Sequence, residues 1–186
     1  MKKGLSKYQR ISITVLFTVM MIATLLWEHY NGGISTHYLL HDDNMPGISN
    51  LWGLIIVPIF TWVVSGLVRI QQDGKDKNKH LPVLLRGVYL FLTGALISIF
   101  FYQNPESALP LYLTIALLAL AFFLPVYKAE CLLGYVAGTL FMFGAFIPVI
   151  AGTILWLLFF TAYKGTRKIT GFFIKNRQQH RIENSK

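Results

Sequence analysis

The chain is poor in charge. Asp, Glu, Lys and Arg make up 13% of its 186 residues while 54% are hydrophobic, and a soluble domain carries about a quarter charged residues. That balance excludes an ordinary soluble domain and points to an integral membrane protein. Cysteine is nearly absent too: Cys131 stands alone, so there is no internal disulfide, no CxxC and no metal site built on cysteine pairs. Acids number only eight against 17 Lys and Arg, a formal charge of +9. The basic residues fall in short blocks between apolar runs, where they orient the chain and meet anionic lipid, so nucleic acid is not expected as a partner. A third shortage is local. Residues 28–50 contain no lysine or arginine at all.

What is present is a series of apolar runs. "MKKGLSKYQR" precedes the uncharged stretch 11–27, which has the layout of a signal peptide without a small-x-small cleavage site, and so reads as an uncleaved first span. Further spans are expected at 51–68, with Pro58 inside, at 83–102, with Arg86 near its start snorkelling to the headgroups, and at 108–127. The last uncharged stretch, 131–163, is too long for one crossing: as a straight helix it would run about 50 Å against a hydrocarbon core of about 30 Å. A turn at Gly144 to Pro148 divides it into arms at 131–145 and 147–163.

The expected fold is therefore an all-α integral membrane protein in a single polytopic domain, residues 1–163, followed by a basic amphipathic cytoplasmic tail, 164–186. It has about six transmembrane helices: four crossings plus a C-terminal glycine-rich hairpin, read either as two short spans or as re-entrant. Both termini are cytoplasmic, because this arrangement puts all 17 basic residues on one face and leaves 28–50 as the main outward loop. The expected location is a plasma (inner) membrane of bacterial type.

Chemistry concentrates in that loop, "EHYNGGISTHYLLHDDNMPGISN". His37 and His41 are four apart and share a face if "ISTHYLLHDD" is helical. With Asp42 or Asp43 beside them, the four residues form a candidate divalent-metal set of imidazoles and carboxylates. Glu28 is the candidate catalytic acid or base at the top of the first span. Asn31, Asn44, Ser49 and Asn50 are candidates for substrate or lid contacts, with Ser49 or Asn50 able instead to cap the following helix. On the inner side Glu130 is the one notable acid. Gly134 and Gly138 form a GxxxG, a surface for close helix packing within the chain, with further copies, or with a larger membrane complex. Threonines and serines in the spans are expected to bond back to their own helices.

Two short stretches resemble known families. "WEHYN" followed by "ISN" is similar to the amino-terminal region of alkaline ceramidases, and "DKNKH" at 76–80 to the DKxxH of VanZ-like proteins. Each covers under a tenth of the chain and lacks that family's remaining motif, so no family is assigned. Three roles fit the sequence: a permease or substrate-binding membrane subunit for a small molecule or ion, with the outer loop as its site; a metal-dependent enzyme acting on a lipid or lipid-linked substrate at the outer interface; and a non-catalytic accessory subunit.

Overall fold

The computed structural model describes residues 4–38, 47–73, 80–104 and 107–183; side chains are described for these except 37, 38, 80, 110 and 169–183. Six helices follow in chain order: α1 Lys7–Tyr30, α2 Gly53–Gln72, α3 His80–Gln103, α4 Leu109–Ala121, α5 Ala129–Phe143 and α6 Phe146–Glu183. Among the described residues four stretches are long and apolar enough to cross a membrane: Lys7–Tyr30, Asn50–Gln72, Leu81–Gln103 and Phe146–Lys168. Large apolar side chains such as Leu26, Ile55 and Leu158 lie exposed on their outer faces, as lipid-facing positions require.

Helix limits follow local chemistry. Ser6 caps α1 in a capping box with Gln9, which satisfies two otherwise unpaired amides. At its other end Asn31 donates its side-chain amide to the Trp27 carbonyl at 2.8 Å, and Gly32 and Gly33, both at positive φ, take the chain out of the helix. The expected fourth span, 108–127, is corrected: α4 stops at Ala121 and the chain winds through a turn at 122–124. Pro125 explains this, since it supplies no N–H and pushes the residue before it out of helical geometry. The predicted break near Gly144 is present between α5 and α6. Helix α6, however, continues unbroken past residue 163, so the start of the tail extends the same helix.

Helix α5 is the centre of the molecule. Eleven of its residues, Ala129 to Gly134 and Val136 to Leu140, are buried. It lies parallel to α3 with Gly134 beside Gly87 and Gly138 beside Phe91 and Ala95, so close that a β-carbon on either glycine would strike the α3 backbone. Ser98 donates to the Gly138 carbonyl across this seam at 3.2 Å; it thus bonds to a neighbouring helix, unlike Thr18, Thr24, Thr93 and Thr153, which return to their own. The Gly134/Gly138 face, expected as one candidate surface for association with other chains, is covered by α3 within the monomer. Helix α5 also packs against α1, α2 and α6.

The two ends of the bundle differ in charge. At one end Gly4 donates to Asp73 at 2.7 Å, Ala129 to Gln71 at 3.3 Å, and Arg86 pairs with Glu130 at 2.7 Å; Lys7, Arg10, Arg69, Lys128 and Lys164 lie toward this end. The other end joins the C-terminus of α1, the N-terminus of α2 and the α5–α6 turn. Among the described residues it carries no lysine or arginine.

Candidate functional site

Two places gather polar groups or space. The first is the non-basic end, where Glu28 lies in the last turn of α1. A carboxylate there opposes the helix dipole, and the structure compensates with donors: Asn50 Nδ2 donates to its Oε1 at 2.7 Å and the Ser35 amide to its Oε2 at 3.2 Å. Asn50 is 4% exposed and is the hub of this end. Its own amide donates to the Ser35 carbonyl at 3.0 Å, and its Oδ1 accepts from the Ala145 amide at 3.0 Å. Gly144, at φ +65°, is packed against the Asn50 amide so tightly that any β-carbon would collide with it. Three separate parts of the chain are thus fixed through one side chain.

The loop above this hub begins and ends as a short antiparallel ribbon, β1 Thr36–Tyr38 with β2 Gly47–Ser49, in which His37 stands opposite Ile48. Within the stretch whose helical form would pair His37 with His41, residues Thr36–Tyr38 are extended. Ribbon pairing satisfies backbone groups on both strands, and Thr36 and Ile48 are β-branched residues suited to it. The other expected metal ligands, His41, Asp42 and Asp43, and the expected lid residue Asn44 lie outside the described residues. Among the described residues no group of three His, Cys, Asp or Glu side chains is placed to hold a metal.

Of the other expected site residues, Ser49 caps the 3₁₀ turn Asn50–Trp52 by accepting from the Leu51 amide at 3.4 Å, and Asn31 closes α1. Glu130 is at the opposite end of the bundle and shares no site with Glu28. Its Oε1 accepts from both Arg86 Nε, at 2.9 Å, and Arg86 Nη2, at 2.7 Å. Arg86, expected to reach for headgroups, is instead held by this carboxylate.

The second place is a lateral cleft of about 810 Å³. Helix α1 packs on α2 and α5, and α3 packs on α5; between α1 and α3 the bundle is open, with α5 as the floor. The walls are Ile13, Leu16, Phe17 and Met20 on one side and Leu84, Val88 and Phe91 on the other, with Leu133, Gly134 and Ala137 below. Its polar lining residues are Gln9, Gln72 and Glu130. All three belong to the basic end. The glycines that floor this cleft were visible in the sequence as a packing motif, but nothing in the sequence showed that α1 and α3 stand apart.

Compared with protein-family profiles, curated proteins and solved structures, the chain matches none.

Proposed function

We propose that this chain is a six-crossing plasma-membrane protein, both termini cytoplasmic, that acts as a substrate-binding membrane subunit of permease type, and that its substrate is an amphipath entering from the bilayer. The lateral cleft carries this reading. Its volume, about 810 Å³, falls in the range of ligand sites, about 300–1,000 Å³. Its apolar wall on α3 runs from Leu81 to Phe91, a rise of about 15 Å, which is half of a hydrocarbon core of about 30 Å. A cleft one leaflet deep, open sideways and polar only at its end suits hydrocarbon chains lying parallel to those of the surrounding lipid. A water-soluble solute or ion would find almost no polar partner along that wall.

The concentration of Lys and Arg at the cleft's polar end supports the cytoplasmic assignment of that end. Under this reading α4 and α5 complete the crossings as short helices, of 13 and 15 residues. The hub formed by Glu28, Asn50 and the Gly144 turn holds the outer ends of α1, α2, α5 and α6 together, so that the bundle can be open at the inner leaflet without splaying.

Native mass spectrometry of detergent-purified protein tests the reading. The parent is expected to retain about one acyl lipid per chain, and Leu16→Trp/Val88→Trp, which fills the cleft from both walls, to lose it while remaining folded. Equal lipid retention by the two proteins would refute the cleft as the binding site.

A further inference from the structure

A gathering of charge and aromatic rings on the α4–α6 side of the basic end shares no residue with the cleft. It is built on Phe160, Tyr163, Lys164 and Arg167 of α6, whose steps of three and four place them on one face of the helix. Tyr127, from the connection between α4 and α5, packs on that face: its ring centroid lies 5.6 Å from that of Phe160 and 4.9 Å from that of Tyr163. Lys164 Nζ stands 4.5 Å from the centre of the Phe160 ring, and Arg167 Cζ 4.9 Å from that of Tyr163. Two separate parts of the chain thus set two cations side by side.

Both cations fold back toward the membrane. Helix α6 runs from the non-basic end to the basic end, and its side chains tilt toward its N-terminus; each cation rests on the ring four residues before it, at the edge of the apolar run. A side chain that only seeks water extends the other way. Lys164 and Arg167 remain exposed there, at the depth where Tyr127 and Tyr163 mark an interface and where lipid phosphates lie. The described carboxylates of this end are engaged elsewhere, Asp73 by the Gly4 amide and Glu130 by Arg86. Directly before Tyr127 the turn at 122–124 exposes Phe122, Phe123 and Leu124, a surface suited to hydrocarbon chains.

We propose that Lys164 and Arg167, held by Phe160, Tyr163 and Tyr127, bind the headgroup of an anionic phospholipid, with its chains against the turn at 122–124. The guanidinium and the ammonium supply charged donors to the phosphate, and the bound lipid ties the α4–α5 connection to α6. This site is independent of the cleft and of what the cleft holds.

The test is competitive native mass spectrometry of the full-length, delipidated protein with dioleoylphosphatidylglycerol and dioleoylphosphatidylcholine, which share their chains and differ in net charge. The parent is expected to favour the anionic lipid by about tenfold, the value of one charge-assisted hydrogen bond, and to melt at a higher temperature with it than with the zwitterionic one. Lys164→Gln/Arg167→Gln changes exposed side chains only, so it should fold as the parent does, and it is expected to bind the two lipids equally. Lys2→Gln/Lys3→Gln, which removes the same charge from the other end of the chain, should keep the preference, as should Lys164→Arg. Equal binding of the two lipids by the parent, a preference unchanged in Lys164→Gln/Arg167→Gln, or one lost equally in Lys2→Gln/Lys3→Gln overturns the site. Displacement of the anionic lipid by inorganic phosphate as readily as by further lipid would overturn the lipid as its ligand.

Discussion

At the residue scale, Asn50 has the largest consequences of any polar side chain in the described structure. It donates to one carboxylate and accepts from one backbone amide while nearly excluded from solvent, so truncation strands two partners at once. Asn50→Ala is expected to destabilise the protein by about 2–4 kcal/mol, since each group left unsatisfied costs about 1–3 kcal/mol; chemical unfolding in detergent measures it. Asn50→Asp tests the direction of the bond. It is nearly isosteric, yet it sets a second carboxylate against Glu28 and removes the donor, so it should be at least as damaging as alanine at neutral pH and should recover as the pH falls and the acidic pair takes up a proton. Gly144→Ala should also destabilise, because φ +65° disfavours a side chain and the Asn50 amide occupies the space. Sequence reading picked out Glu28, Asn50 and the Gly144 region separately. Their union was not legible, because residues 28, 50 and 145 are brought together only when three helix ends meet.

At the scale of elements, the parallel pairing of α3 and α5 is set by small residues on both sides. Gly134→Leu or Gly138→Leu should prevent folding, since each would drive a side chain into the α3 backbone, whereas Gly165→Ala in α6, with open space around it, should be neutral or mildly stabilising by helix propensity. Migration and size-exclusion profiles after membrane extraction distinguish these outcomes. The Arg86–Glu130 pair ties the same two helices at their starts. Its side chains are 28% and 7% exposed, so Arg86→Gln alone, which leaves Glu130 uncompensated, should cost about 1–3 kcal/mol, and Arg86→Gln/Glu130→Gln should recover most of that loss. The sequence showed the apolar runs and the break at Gly144 because hydropathy and glycine are local signals. It did not show that α4 ends at Ala121. Residues 122–124, Phe-Phe-Leu, are as apolar as the helix before them, and the only warning was Pro125. It also read Ser98 as bonding to its own helix, when the partner is the Gly138 carbonyl on α5; a hydroxyl's choice between two carbonyls depends on how closely the helices approach.

At the scale of the whole molecule, the bundle is pinned at its non-basic end through Asn50 and is open between α1 and α3 toward its basic end. Reporter fusions provide a check on orientation. A reporter after Lys186 and one between residues 74 and 79 should lie on the same, cytoplasmic, side, and one between residues 39 and 46 on the opposite side. The expected orientation rests on the sequence alone, on where Lys and Arg are absent. The cleft was not legible there, because it is the space left when α1 and α3 both pack on α5 and not on each other.

The central claim is that this space holds lipid. The most direct measurement is photocrosslinking of the protein in nanodiscs with a diacylglycerol bearing a diazirine in its acyl chain, with labelled residues mapped by mass spectrometry. The account predicts labels concentrated on Ile13, Leu16 and Met20 of α1, on Leu84, Val88 and Phe91 of α3 and on Ala137 of α5, and their loss in Leu16→Trp/Val88→Trp. Labels spread evenly over the exposed faces of α4 and α6, with none on the floor of the cleft, would contradict it.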